Sequence, residues 1–169
     1  QEIKQYQDEL KRTYLAVYHL QADRIIQLAD KTVPTVNYGE QQRYLVATSD
    51  VPYQKMGTWA GFFQDVYLVD VNTGRKQLVL PQQPSDAIPT LSPNGRFLRY
   101  FQQGNVHIYD IAQARSYNLT AKQSVTFADE DHDYPSNAPG YGFGPWLADD
   151  SGFITYDKYD AWQFNTASH

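Results

Sequence analysis

An all-β fold of repeated antiparallel meanders is predicted by three observations. Composition is the first. Aromatic residues make up 15% of the 169-residue chain, with 14 Tyr, 8 Phe and 3 Trp against a single Met, and aromatic and β-branched side chains suit a pleated surface. The second is the stretch Leu91–Thr120, LSPNGRFLRYFQQGNVHIYDIAQARSYNLT. Its turn signal Ser92-Pro93-Asn94-Gly95 precedes an apolar-rich run at Phe97–Phe101, a polar break at Gln102–Asn105, and further runs at Val106–Ile111 and Ser116–Leu119. Short runs at hairpin spacing form an antiparallel meander. The third observation is that this unit recurs. RYLVA from Arg43, RFLRY from Arg96 and GFITY from Gly152 align with starts 53 and 56 residues apart, and runs ending at Leu20, Val71, Ile111 and Phe164 are spaced by 51, 40 and 53. A period of roughly 40–55 residues with four short strands per unit is the pattern of β-propeller blades.

In chain order, Gln1–Arg12 is polar, with Ile3, Tyr6 and Leu10 three and four apart, and residues 1–14 are expected to be a linker or partial strand. Leu15–Leu20 and Arg24–Leu28 form the first hairpin-like pair around a polar link. Thr32–Gln42 reads as a connector because of Pro34 and Gly39, and Arg43–Ser49 reads as a strand. Asp50–Asp65 breaks the pattern at Pro52, Gly57 and Gly61. Val66–Val71 is the clearest strand, turned at Asn72-Thr73-Gly74 to return along Lys76–Leu80. Pro81–Pro89 reads as a connector into the central meander, and Ala121–Gly140 is polar and acidic. An aromatic, Gly-rich run at Tyr141–Leu147, a turn at Ala148–Gly152, and strands at Phe153–Asp157 and Ala161–Phe164 complete the chain.

Residues 15–169 therefore hold about three to four blades, partial at both ends. Closed propellers have roughly 4–8 blades, so an incomplete propeller is expected. The missing initiator Met fits a piece of something longer. Unpaired strand edges and apolar blade faces favour self-association or cover by other segments.

A net charge of -5 supplies no basic footprint, which argues against nucleic acid as a partner. With no cysteine, disulfides, thiol catalysis and Cys-ligated zinc are excluded. No apolar run approaches the roughly 18–20 residues of a membrane-spanning helix. Gln1–Leu20 is interrupted by charges and carries no signal peptide.

Candidate sites weigh towards structure. Ser49, Ser92, Ser136 and Ser151 sit in turn or strand-end contexts, and the histidines at 19, 107, 132 and 169 are scattered, so no catalytic residue and no cofactor are assigned. Asp129, Glu130, Asp131, His132 and Asp133 form the best cation candidate, but the run lacks EF-hand spacing and suits a solvated connector, so no metal site is assigned. Asp149, Asp150, Asp157 and Asp160 suit β-turns better than a glycosidase pair. Tyr100, Tyr109, Tyr156 and Trp162 are expected to pack between blades. Trp59, Phe62 and Phe63 lie in a loop longer than a blade turn requires, which points to contact with another domain.

Two phrases carry a family resemblance. LSPNGRFLRYF…VHIYDI is similar to the repeat of TolB-like propellers, and PGYGFGPWLADDSGFITYDKYDAWQF resembles the blades of bacterial prolyl-oligopeptidase-type serine peptidases. The resemblance implies a non-catalytic propeller that gates peptide access to an α/β-hydrolase domain outside this chain, in a periplasmic or secreted protein. A TolB-like module that docks protein partners is the alternative it implies. The nucleophile elbow of such peptidases, G-x-S-x-G, matches no position here.

Overall fold

The computed structural model describes residues 11–38, 43–57 and 61–167. Among them, four antiparallel sheets follow one another along the chain. The first is the hairpin β1 (Ala16–His19) and β2 (Arg24–Gln27). The second is β3 (Thr35–Asn37), β4 (Tyr44–Ser49), β5 (Phe63–Asp70) and β6 (Lys76–Pro84). β7 (Thr90–Leu91), β8 (Phe97–Gln102), β9 (Asn105–Asp110) and β10 (Arg115–Asn118) form the third. β11 (Phe143–Trp146), β12 (Gly152–Tyr156) and β13 (Ala161–Asn165) form the fourth. In every sheet the spatial order is the sequence order, so each is a simple meander.

Local chemistry sets the turns. Between β8 and β9, Gln103 (φ 50°) and Gly104 (φ 78°) are both left-handed, the two-residue geometry whose twist matches the flanking strands. Gly74, at φ 71° between β5 and β6, has a second reason to be glycine: a Cβ there would lie 2.8 Å from the Gln27 carbonyl oxygen of the first sheet.

Strand alternation then fills three apolar cores, one in each gap between successive sheets. Along β4, Leu45 and Ala47 face the first sheet with Leu28, Val33, Val36 and Val69, while Val46 faces the third with Val66, Leu68 and Leu80. Along β8, Leu98 and Tyr100 join that middle core, and Phe97 and Phe101 turn to the fourth sheet. There Val106, Ile108, Phe127 and Phe153 complete the third core, flanked by Trp162 and Phe164. Tyr100, Tyr109 and Trp162 pack between sheets as their spacing predicts, but Tyr156 does not and stays 37% exposed. Its β12 neighbours Phe153 and Thr155 take the inward positions of the two-residue repeat.

Two expected connectors contain strand. Thr32–Gln42 includes β3, whose three residues bury only Val36 and so show no readable alternation. Pro81–Pro89 begins inside β6, which passes Pro81 by an irregular register against β5, with Gln82 at φ 50°. A strand tolerates proline where a bulge frees its ladder position.

The turns at 20–23, 71–75, 92–96 and 147–151 lie at one end of the sheets, where the first pair and the second pair are each joined by hydrogen bonds. Arg24 Nη2 donates to the Asn72 carbonyl at 2.9 Å, and the His19 ring is 2.9 Å from the Val71 carbonyl. Asp150, fully buried at φ 62°, holds the Ser92 turn of the preceding sheet. Its carboxyl group accepts from Ser92 Oγ at 2.8 Å and Asn94 N at 2.9 Å, and its carbonyl accepts from Thr166 Oγ1 at 2.7 Å. Removing a buried acceptor strands its donors at about 1–3 kcal/mol each. Asp150→Ala is therefore expected to lower unfolding free energy by about 3 kcal/mol in urea titration, with strong non-additivity in a double-mutant cycle with Ser92→Ala.

His107 faces the middle core, stacked on Tyr100 across β8 with ring centroids 5.1 Å apart. Burial pulls its pKa below the ordinary 6.5. The folded state therefore favours the neutral ring, and its contribution is whole above about pH 6.5 and lost as pH falls through the lowered folded pKa. Thermal unfolding between about pH 7.5 and 5.5 is expected to show a smaller drop in Tm for His107→Phe than for the wild type.

Candidate interaction face

The opposite end of the sheets carries the long connections: 50–62 between β4 and β5, 85–89 between β6 and β7, and 119–142 between β10 and β11. This long-connection end holds the exposed aromatic and apolar side chains Phe62 (74%), Ile88 (50%) and Tyr134 (73%), as well as the acidic run.

The β4–β5 connection is anchored locally. Val51–Tyr53 forms one 3-10 turn with Pro52 at its start, which places the Tyr53 hydroxyl 2.6 Å from Asp65 Oδ1 as donor. The same oxygen accepts the Gln82 backbone N–H at 3.0 Å, tying the connection to the irregular part of β6. Burial and the Asp65 hydrogen bond push the Tyr53 phenol up to about 12. Phe62 bonds through its carbonyl to Ser85 N at 3.1 Å, leaving its ring in solvent beside the 85–89 connection. Phe63 is not in the loop. It opens β5 with its ring 6.2 Å from Tyr53, because the ladder with β6 extends to Pro84. Trp59 lies outside the described residues.

The acidic run does not converge. Asp129 caps the Asp131 N–H, Asp131 pairs with Lys158 at 2.8 Å, and the Glu130 backbone donates to the Tyr141 hydroxyl at 2.9 Å. Among the described residues no three His, Cys, Asp or Glu side chains are grouped to hold a metal ion. Hydrogen bonds from the Ser151 side chain and N–H hold the Asp149 carboxyl below the usual range, and the Tyr159 and Asp160 N–H groups do the same for Asp157. Both aspartates are turn residues.

The serines likewise hold backbone rather than substrate. Ser49 Oγ donates to the Thr32 carbonyl, and Ser92 belongs to the Asp150 network. His132 and Ser136 come within 3.0 Å on the exposed loop, but this pair carries no acid oriented on the second ring nitrogen. A feature invisible in the sequence is Arg99. Only 6% exposed on β8, it donates from Nε to Thr90 Oγ1 at 2.9 Å, and its guanidinium lies about 5 Å from the rings of Phe143, Trp146 and Phe153. Burial draws its pKa down to about 10, so it stays charged at neutral pH, held by ring quadrupoles rather than by a carboxylate. Only its place among apolar residues in RFLRYF hinted at this.

These features define an all-β protein of successive antiparallel sheets, with long connections at one end and no hydrolytic site among the described residues. The family described as the dipeptidyl peptidase IV (DPP IV) N-terminal region matches residues 40–160, well over half of the chain, and this protein belongs to that family. No curated protein matches it. Among the described residues no helix is long and apolar enough to cross a membrane.

Tyr53→Phe is expected to cost about 1 kcal/mol in urea unfolding at neutral pH. The raised phenol pKa makes this contribution whole below about pH 10 and lost as pH rises towards 12, so the gap between wild type and variant should close across that window.

Proposed function

We propose that this chain is the non-catalytic propeller portion of a prolyl-oligopeptidase-type serine peptidase, with residues 1–14 as a linker and 15–169 as about three to four blades, partial at both ends. It gates peptide entry to an α/β-hydrolase domain, which docks on the long-connection end. The family match across 40–160 carries this reading, since that span runs from β4 to β12, through the whole third sheet and most strands of the second and fourth. Two further features support it. Each inner sheet has apolar residues on both faces, as blades with neighbours on both sides require. Exposed Phe62 sits beside the 85–89 connection as an apolar contact for a neighbouring domain, with Trp59 of the same connection proposed to share that role and Phe63 held in β5 beneath it.

The test is made on the full-length protein. A fluorophosphonate probe is expected to label it at a serine outside residues 1–169, and hydrolysis should be confined to short peptides. Phe62→Asp should leave the fold's stability within about 0.5 kcal/mol, as for other exposed positions, while allowing longer substrates to be cut. If no serine is labelled, the peptidase reading fails and a TolB-like docking module takes its place.

A further inference from the structure

A cavity of about 240 Å³ opens between the third and fourth sheets at the long-connection end. Five of its thirteen lining residues are aromatic: Tyr100 and Phe101 from β8, Phe127 and Tyr141 from the β10–β11 connection, and Phe143 at the start of β11. The wall is closely fitted. A Cβ on Gly140 would lie 2.8 Å from Phe101 Cδ2, so the glycine lets the chain pass against that ring.

The Arg99 guanidinium lies behind the wall, 4.8 Å from the Phe143 ring, and does not line the cavity. Asp86, on the exposed 85–89 connection, is the sole charged side chain among the described residues that line it. The Glu130 N–H bond to the Tyr141 hydroxyl holds the acidic run 129–133 beside the wall. Lys158 neutralises Asp131 at 2.8 Å and leaves Asp129, Glu130 and Asp133 of that run outside the ion pair. Pockets for drug-sized ligands occupy about 300–1,000 Å³, so this volume suits one side chain. Aromatic faces attract cations and also accept methylene groups.

We propose that this cavity takes the side chain of a lysine residue of a partner peptide, with its methylene stem along Phe101, Tyr141 and Phe143 and its ammonium at the rim with Asp86. A point charge on a flexible stem fits one rim carboxylate, whereas a guanidinium fork calls for a bidentate partner. The assignment rests on the cavity alone and stands whether or not the chain gates a hydrolase.

The test is an NMR titration of the full chain with Nα-acetyl-lysine methylamide, using Nα-acetyl-norleucine methylamide as the uncharged comparator. The lysine probe should shift the amides of 86–88 and 140–143 and bind about three- to fivefold tighter than the comparator at low salt. That preference should vanish in Asp86→Asn, an exposed substitution, and in about 1 M salt. Gly140→Ala should weaken both probes by moving Phe101. Equal binding of the two probes, a preference retained in Asp86→Asn, shifts centred elsewhere, or tighter binding of an acetyl-arginine methylamide would overturn the assignment.

Discussion

In β4 and β8, side chains at odd and even positions both leave water, but they enter different cores. A strand of this kind is stable only with a sheet on each side, and that constraint makes the remaining architecture follow. The second and third sheets each supply residues to two cores, so neither can be removed without exposing the apolar face of a neighbour. The outer face of the first sheet shows the same requirement from the other side, with Tyr18 50% and Ile25 73% exposed where no described sheet covers them. Side chains stacked in this way give a fold held by nearest neighbours.

The two ends of the sheets differ in loop length and in how their loops are bonded. At the tight-turn end, short loops satisfy one another across sheets through Arg24, His19 and above all Asp150, whose buried carboxyl group organises the Ser92 turn. These bonds fix how successive sheets align. The other end has long connections, exposed rings, an acidic run and a cavity, anchored from beneath by the Tyr53–Asp65–Gln82 contacts. Functional surface gathers where connections are long because their side chains are free of ladder geometry.

The repeat was legible because second and third strands recur as short apolar-rich runs at similar spacing, and RYLVA, RFLRY and GFITY all fall on second strands. First strands were not. β3 and β7 have three and two residues, too few for a periodicity. Proline hid the end of β6, because its bulge is a tertiary accommodation to β5. At the candidate face, exposure of Phe62 agreed with its loop setting, whereas Phe63, one residue on, was drawn into β5. Arg99 and Asp150 owe their roles to the neighbouring sheet, and no local pattern encodes a partner more than forty residues away. The same holds for the cavity, whose walls come from five separate segments.

We propose the long-connection end as the docking surface for a neighbouring domain. Amide hydrogen exchange, compared between this chain alone and the full-length protein, tests it most directly. Whatever changes in the outer strands of the first and fourth sheets, exchange should slow at 61–63, 85–88 and 125–142, with no change at the turns 71–75, 92–96 and 147–151. Slowing at those turns, or none at the long connections, would contradict it.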